Sequence, residues 1–173
     1  LVDSLMVIYQ KRIDFWPKYK KSSLNYYATD MYNYMQDKPE ELFNGLTAVV
    51  KELGAETDLK TFPIYMKVAC DLYKENKLDP EKVINVYEEL IGYLGQINTE
   101  GNEIKKKLVD KTVGDVESLF IASQVASCDN LIALFTPRFE AAPNDLTLAK
   151  NIAKMLQLTE GCMDNDLFLG AVN

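Results

Sequence analysis

The residues that could do chemistry in this chain are few. Its 173 residues include three cysteines, Cys70, Cys128 and Cys162, and no histidine. Lack of histidine removes Ser-His-Asp and Cys-His catalysis, histidine-ligated zinc and a histidine proton shuttle together. Carboxylates, thiols and phenols remain. Glu40-Glu41 and Glu88-Glu89 are adjacent pairs. Neighbours in a helix point to different faces, so neither pair converges as an acid/base dyad. Asp164-Asn165-Asp166 opens like a calcium loop, but Phe168 takes the next ligand position and no closing Glu follows, so the segment reads as a helix cap. No glycine-rich phosphate loop or dinucleotide fingerprint occurs. The expectation is no catalytic residue, no metal and no cofactor. An enzyme built from carboxylates on separate helices is the remote alternative.

Recognition chemistry is richer. Lys and Arg number 19 against 26 Asp and Glu, a formal charge of −7, which argues against neutralising the phosphates of a nucleic acid. Lys18, Lys20 and Lys21 cluster, as do Lys105, Lys106 and Lys107. Either group suits an acidic peptide tail; with acids nearby, a solvated helix face is the simpler reading. Tyr26, Tyr27, Tyr32 and Tyr34 crowd one predicted helix, which cannot bury all four on one face. Partly exposed aromatic rings make interface anchors. Trp16, Tyr26 and Tyr27 are therefore the candidate partner-binding residues, against a reading as hairpin core with a tryptophan cap. Cys70 lies among Tyr65, Val68 and Leu72, as a small buried hydrophobe would.

The elements that must position these residues are all helical. Leu1, Leu5, Ile8, Tyr9, Ile13 and Trp16 repeat at helical spacing, and Pro17 stops them. Ser22 or Ser23 is expected to cap a second helix to about Met35. Asp37-Lys38-Pro39-Glu40-Glu41 starts a third, whose apolar residues end at Gly54. Further helices are expected from about Thr61 to Asn76, from Pro80 behind an Asp79 cap to about Leu94, and across Glu103 to Ala126 with an interruption near Gly114. The last fall at about Asp129–Ala141 and Asp145–Leu158, with Asn144 able to cap, and one more opens near Asp164. No hairpin turn or alternating strand pair appears, and no run of 18 apolar residues spans a membrane. The first residues carry no signal peptide, and the last open a helix that has only begun, which reads as a fragment of a longer chain.

A period underlies this pattern. Cys128 and Cys162 sit 34 residues apart, each at a turn between helices. Leu131, Phe135 and Pro143, then Ala149, Ile152, Ala153 and Leu156, keep the spacing of small, aromatic and closing positions in tetratricopeptide (TPR) repeats. Tyr65, Val68, Ala69 and Leu72, followed by Val83, Tyr87 and Leu90, give an earlier copy; Leu42, Leu46 and Val49 give a weaker one. The chain resembles the TPR family, and is most similar to a divergent, mostly uncharacterised bacterial group predicted to be exported. Residues 1–13 (Leu1 to Ile13), Lys77 to Val83 and Ala126 to Leu131 carry that closer likeness.

The resemblance implies an all-α, TPR-like α-α superhelix (solenoid) of stacked antiparallel helical hairpins, one repeat domain over 1–173 with a looser boundary near 95–112. It implies a cell-envelope, periplasmic location. It also implies a non-enzymatic scaffold that binds a protein or peptide segment on a concave helical surface. A structural segment that packs against neighbouring repeats or domains is the alternative. A groove rimmed by exposed aromatics favours the first; a polar groove with apolar ends favours the second. Matching turns on adjacent repeats put Cys128 and Cys162 on one edge of the stack. Stacked helices lie about 8–10 Å apart, whereas a disulfide needs Cα atoms about 4.4–6.8 Å apart. An irregular turn closes that gap, so a disulfide and two free thiols both stand. Partner identity and oligomeric state stay open.

Overall fold

The structure is a computed structural model, and it describes residues 2–125, 127–159 and 161–172. Expectations that touch Leu1 and Ala126 lie outside them. Nine helices form among the described residues, with no strand. They are α1 (Val2–Phe15), α2 (Lys20–Tyr34), α3 (Pro39–Leu53), α4 (Thr61–Lys74), α5 (Pro80–Gln96), α6 (Glu103–Ala122), α7 (Cys128–Ala141), α8 (Leu146–Leu158) and α9 (Asp166–Val172). None is long and apolar enough to cross a membrane.

α3 shows the local logic best. Pro39 opens it, Glu40 and Glu41 sit at the positive end of its dipole, and Leu42, Leu46, Val49, Val50 and Leu53 form one buried stripe. Gly54 then takes a φ of +53°, a left-handed stop that glycine adopts without steric cost. α4 is the most enclosed helix: Phe62, Tyr65, Met66, Ala69 and Leu72 are all buried, and it touches α2, α3, α5 and α6. Ala69 is small enough for such close approach. The Tyr65 hydroxyl is satisfied by Thr47 on α3 at 2.7 Å, and the Cys70 thiol donates to the Leu119 carbonyl on α6 at 3.7 Å.

Helices pack on their sequence neighbours from α1 to α6, with added contacts α2–α4 and α4–α6. The last three pack on one another in all three pairings. Between these two sets contact passes through single side chains rather than along helix lengths. Arg138 of α7 meets Glu88 (3.3 Å), Glu81 (3.4 Å) and Asn85 (2.9 Å) of α5. Lys154 of α8 meets Glu117 of α6 at 2.6 Å. A continuous apolar core nevertheless joins the sets, with the Tyr87 and Phe120 rings stacked 4.2 Å apart within it.

Several local expectations are corrected. Neither serine caps α2: Pro17–Tyr19 form one 3-10 turn that runs straight into Lys20, Ser23 is buried inside the helix, and the Ser22 hydroxyl donates to the Tyr19 carbonyl at 3.0 Å. Asp79 holds the cap position of α5 without a side-chain cap bond; its carboxylate lies 3.7 Å from Lys82 instead. α6 passes through Gly114 unbroken, and the Ser118 hydroxyl donates to the Gly114 carbonyl at 2.7 Å. Asp145 rather than Asn144 caps α8, accepting the Leu148 amide at 3.0 Å. Pro137 lies inside α7. Asn165 caps α9 through the Phe168 amide at 2.9 Å, so the Asp164-Asn165-Asp166 segment is used as a cap.

Candidate interaction surface

α1 is apolar on two sides. Leu5, Tyr9 and Ile13 are half-buried, and α1 packs on α2. Val7, Ile8 and Phe15, spaced for one stripe, are 52%, 59% and 70% exposed, with exposed Lys11 between them. A helix apolar all round is normally covered all round. Ile8 was expected in the buried set; the structure turns it outward, because α2 reaches only one side of the helix.

Trp16 follows at the break between α1 and the 3-10 turn. It is 56% exposed, its ring 6.1 Å from that of Phe15, so it does not cap the core. Tyr19 is exposed beside it and carries two cations near its ring: Lys18 at 5.0 Å and Arg12 at 5.3 Å. Tyr26 is 58% exposed and borders a cavity of about 340 Å³ with Lys18, Lys21 and Asp58. Tyr27 is different. It is half-buried with its ring 5.7 Å from that of Tyr9, and burial pushes its hydroxyl pKa up. The Tyr9 hydroxyl is pushed to about 12, by burial first and then by donating to Asp30 at 2.6 Å. Trp16 and Tyr26 thus share the α1–α2 end of the molecule, whereas Tyr27 helps hold α1 to α2.

The basic clusters are used differently. Lys20 pairs with Glu52 and Lys21 with Glu56 (3.3 Å), while Lys18 has no carboxylate within ion-pair range among the described residues. Asn25, buried on α2, anchors the chain after α3: its amide nitrogen donates to the Glu56 carbonyl at 3.3 Å and its oxygen accepts from the Asp58 amide at 2.8 Å. Lys105, Lys106 and Lys107 lie exposed at the start of α6, with Lys105 donating to the Asn98 carbonyl at 2.8 Å.

The groove between α2 and α4 holds about 160 Å³, bordered by Tyr32, Gln36, Lys67, Asp71 and Glu75. Lys67 and Asp71, one turn apart on α4, pair along its wall at 2.5 Å, so that wall is polar and self-satisfied. Glu88 is the carboxylate that burial affects most clearly. Desolvation raises its pKa, and Arg138 pulls it back. No group of three or more cysteines and acids able to hold a metal occurs among the described residues.

Cys128 and Cys162 are joined as a disulfide, with Cα atoms 5.3 Å apart. Cys128 opens α7 and Cys162 is wholly buried in the turn before α9, so the bridge ties the start of α7 to the turn between α8 and α9. Beside it lies a cavity of about 670 Å³ bordered by Phe120, Gln124 and Leu158. Cys70 is buried and free.

Two features had no sequence signal. The Arg138 cluster joins residues 50 to 57 positions apart, a distance no local pattern reports. The outward stripe of α1 was hidden because its apolar residues satisfy helical spacing on either face. Compared with protein-family models, with curated proteins and with solved structures, the chain matches none.

Proposed function

We propose that the chain is a non-enzymatic, TPR-like stack of helical hairpins that holds proteins together, and that it does so through its α1–α2 end. The observation that carries this reading is the outward stripe of α1 continued by Trp16: apolar and aromatic groups more than half exposed, on a helix whose other side is already packed. Terminal repeats that cap a stack present polar outer faces, and α1 does not. Contacts between alternate helices, α2–α4–α6, support serial stacking of hairpins in which α2, α4 and α6 are first helices. The Cys128–Cys162 bridge accords with an oxidising compartment such as the bacterial periplasm.

This favours the assembly role over a peptide laid on the concave surface, because the α2–α4 groove is polar and ion-paired while the end is apolar. Peptide binding is the second reading, supported by exposed Tyr26 beside Lys18 in the 340 Å³ cavity.

The test is affinity capture compared across surface variants. Phe15→Ser with Trp16→Ser is expected to lose a protein that wild type and the control Ile104→Ser/Leu108→Ser both retain. Equal recovery by all three overturns the α1–α2 end as the contact surface. Loss on Tyr26→Ser alone moves the site to the second reading.

A further inference from the structure

The opposite end of the molecule mirrors the first in apolarity and reverses its charge. Met163, Leu169 and Val172 are 48%, 51% and 53% exposed, and Leu169 and Val172 share the outward side of α9, whose inner residue Leu167 is buried. Between α7 and α9 runs a groove of about 470 Å³, floored by Ile132, Phe139 and Leu167 and edged by Glu140 and Asp166. Neither acid has a cation within ion-pair range among the described residues. No Lys or Arg occurs after Lys154. At the other end, residues 1–21 carry Lys11, Arg12, Lys18, Lys20 and Lys21 against Asp3 and Asp14, in a chain that is acidic overall. Lys11, Arg12 and Lys18 have no carboxylate within ion-pair range among the described residues; Arg12 lies over the Tyr19 ring, and Lys11 and Lys18 flank Phe15 and Trp16.

We infer that the partner is a second copy of this chain, docked head to tail, with Phe15 and Trp16 of one copy entering the α7–α9 groove of the next while Lys11 and Lys18 face Glu140 and Asp166. The inference rests on the proposed role of the α1–α2 end and names its occupant. Complementary charge selects this pairing over head-to-head contact, where cations would face cations. Unlike surfaces meeting in this way make a heterologous interface, which closes a ring where the rotation between copies allows it and otherwise propagates.

Sedimentation of the 173-residue chain up to about 1 mM tests it. Wild type is expected to grow in mean mass with concentration, and the association constant is expected to fall steeply in high salt. Trp16→Ser/Lys18→Glu blocks one end, and Glu140→Lys/Asp166→Asn blocks the other. Each variant alone stays monomeric; an equimolar mixture forms a 1:1 dimer and goes no further, because the two remaining faces match. Retained helical circular dichroism in both variants excludes unfolding as the cause. A monomeric wild type over the whole range, a blocked variant that still dimerises with itself, or a mixture that fails to pair overturns the inference. If wild type stays monomeric while Phe15→Ser/Trp16→Ser still abolishes capture of a different protein, the inference fails and the proposed function stands. If both experiments fail, both fall.

Discussion

The guanidinium of Arg138 on α7 lies 3.3 Å from the carboxylate of Glu88 on α5, fifty residues earlier, and also reaches Asn85 at 2.9 Å. Desolvation raises the Glu88 pKa and Arg138 opposes it. Removing the arginine leaves a half-buried carboxylate without its counter-charge. Arg138→Ala is expected to destabilise by about 2 kcal/mol, less than for a fully buried pair because both side chains keep some solvent. Adding Glu88→Gln restores part of it. The sign with pH follows: a carboxyl whose folded pKa is raised penalises the fold above that pKa, and the penalty fades as pH falls through it towards the unfolded value of 4.5. The gap between Arg138→Ala and wild type is therefore widest near neutrality and narrows in mild acid. Urea unfolding of the three proteins across pH measures it, and a gap that widens in acid refutes the assignment.

The bridge between Cys128 and Cys162 closes a 34-residue span. Replacing both cysteines by alanine is expected to cost about 3 kcal/mol through the freedom gained by the unfolded chain. The loss should concentrate in α9, which packs chiefly on α7 and α8. Hydrogen exchange resolved by helix checks this. Denatured, unreduced protein should titrate one thiol, that of Cys70; three thiols would mean that no bridge forms.

Gly45 sits in the middle of α3 facing Met31 of α2, and a Cβ there would overlap the Met31 sulfur. Alanine gains about 1 kcal/mol in helix propensity. Met31 is buried, so its displacement strains the core. Gly45→Ala is expected to be destabilising by about 1 kcal/mol in wild type and stabilising in a Met31→Ala background. Thermal denaturation of the four proteins of that cycle gives the coupling. Additivity would show that the close approach carries no strain.

Serial stacking predicts an elongated particle. A compact sphere of this length has a radius of gyration near 16 Å, and small-angle scattering of dilute monomer is expected to exceed it. A value at or below the sphere's removes the solenoid.

Helix placement was legible from local chemistry wherever a proline opened an element, at Pro39 and Pro80, or glycine closed one, at Gly54. It was misread where a polar residue stood one position from the true cap, as with Asn144 beside Asp145, because both side chains are good caps and backbone geometry selects between them. The unbroken path of α6 through Gly114 was hidden for a related reason. The residues that hold it, Val109, Thr112, Val116 and Phe120, are buried by tertiary packing that outweighs one glycine. Aromatic composition singled out Trp16, Tyr26 and Tyr27, of which Trp16 and Tyr26 are exposed. It did not separate Tyr26 from Tyr27, which differ by one residue and therefore by about 100° around α2. The side of α1 that meets α2 was not written in α1 itself, so Ile8 was placed on the wrong face.

The bridge also has a mechanical consequence. If the chain is drawn out by force from its two ends, the seam between the two helical sets has the fewest helix-to-helix contacts to resist shear. The segment between the linked sulfurs cannot pay out, withholding roughly 115 Å of contour length at ~3.4 Å per residue. Under tension α7 and α8, the helices between the linked sulfurs, would stay looped until a reductant opened the bridge, whereas α9 lies outside the loop and could be peeled away.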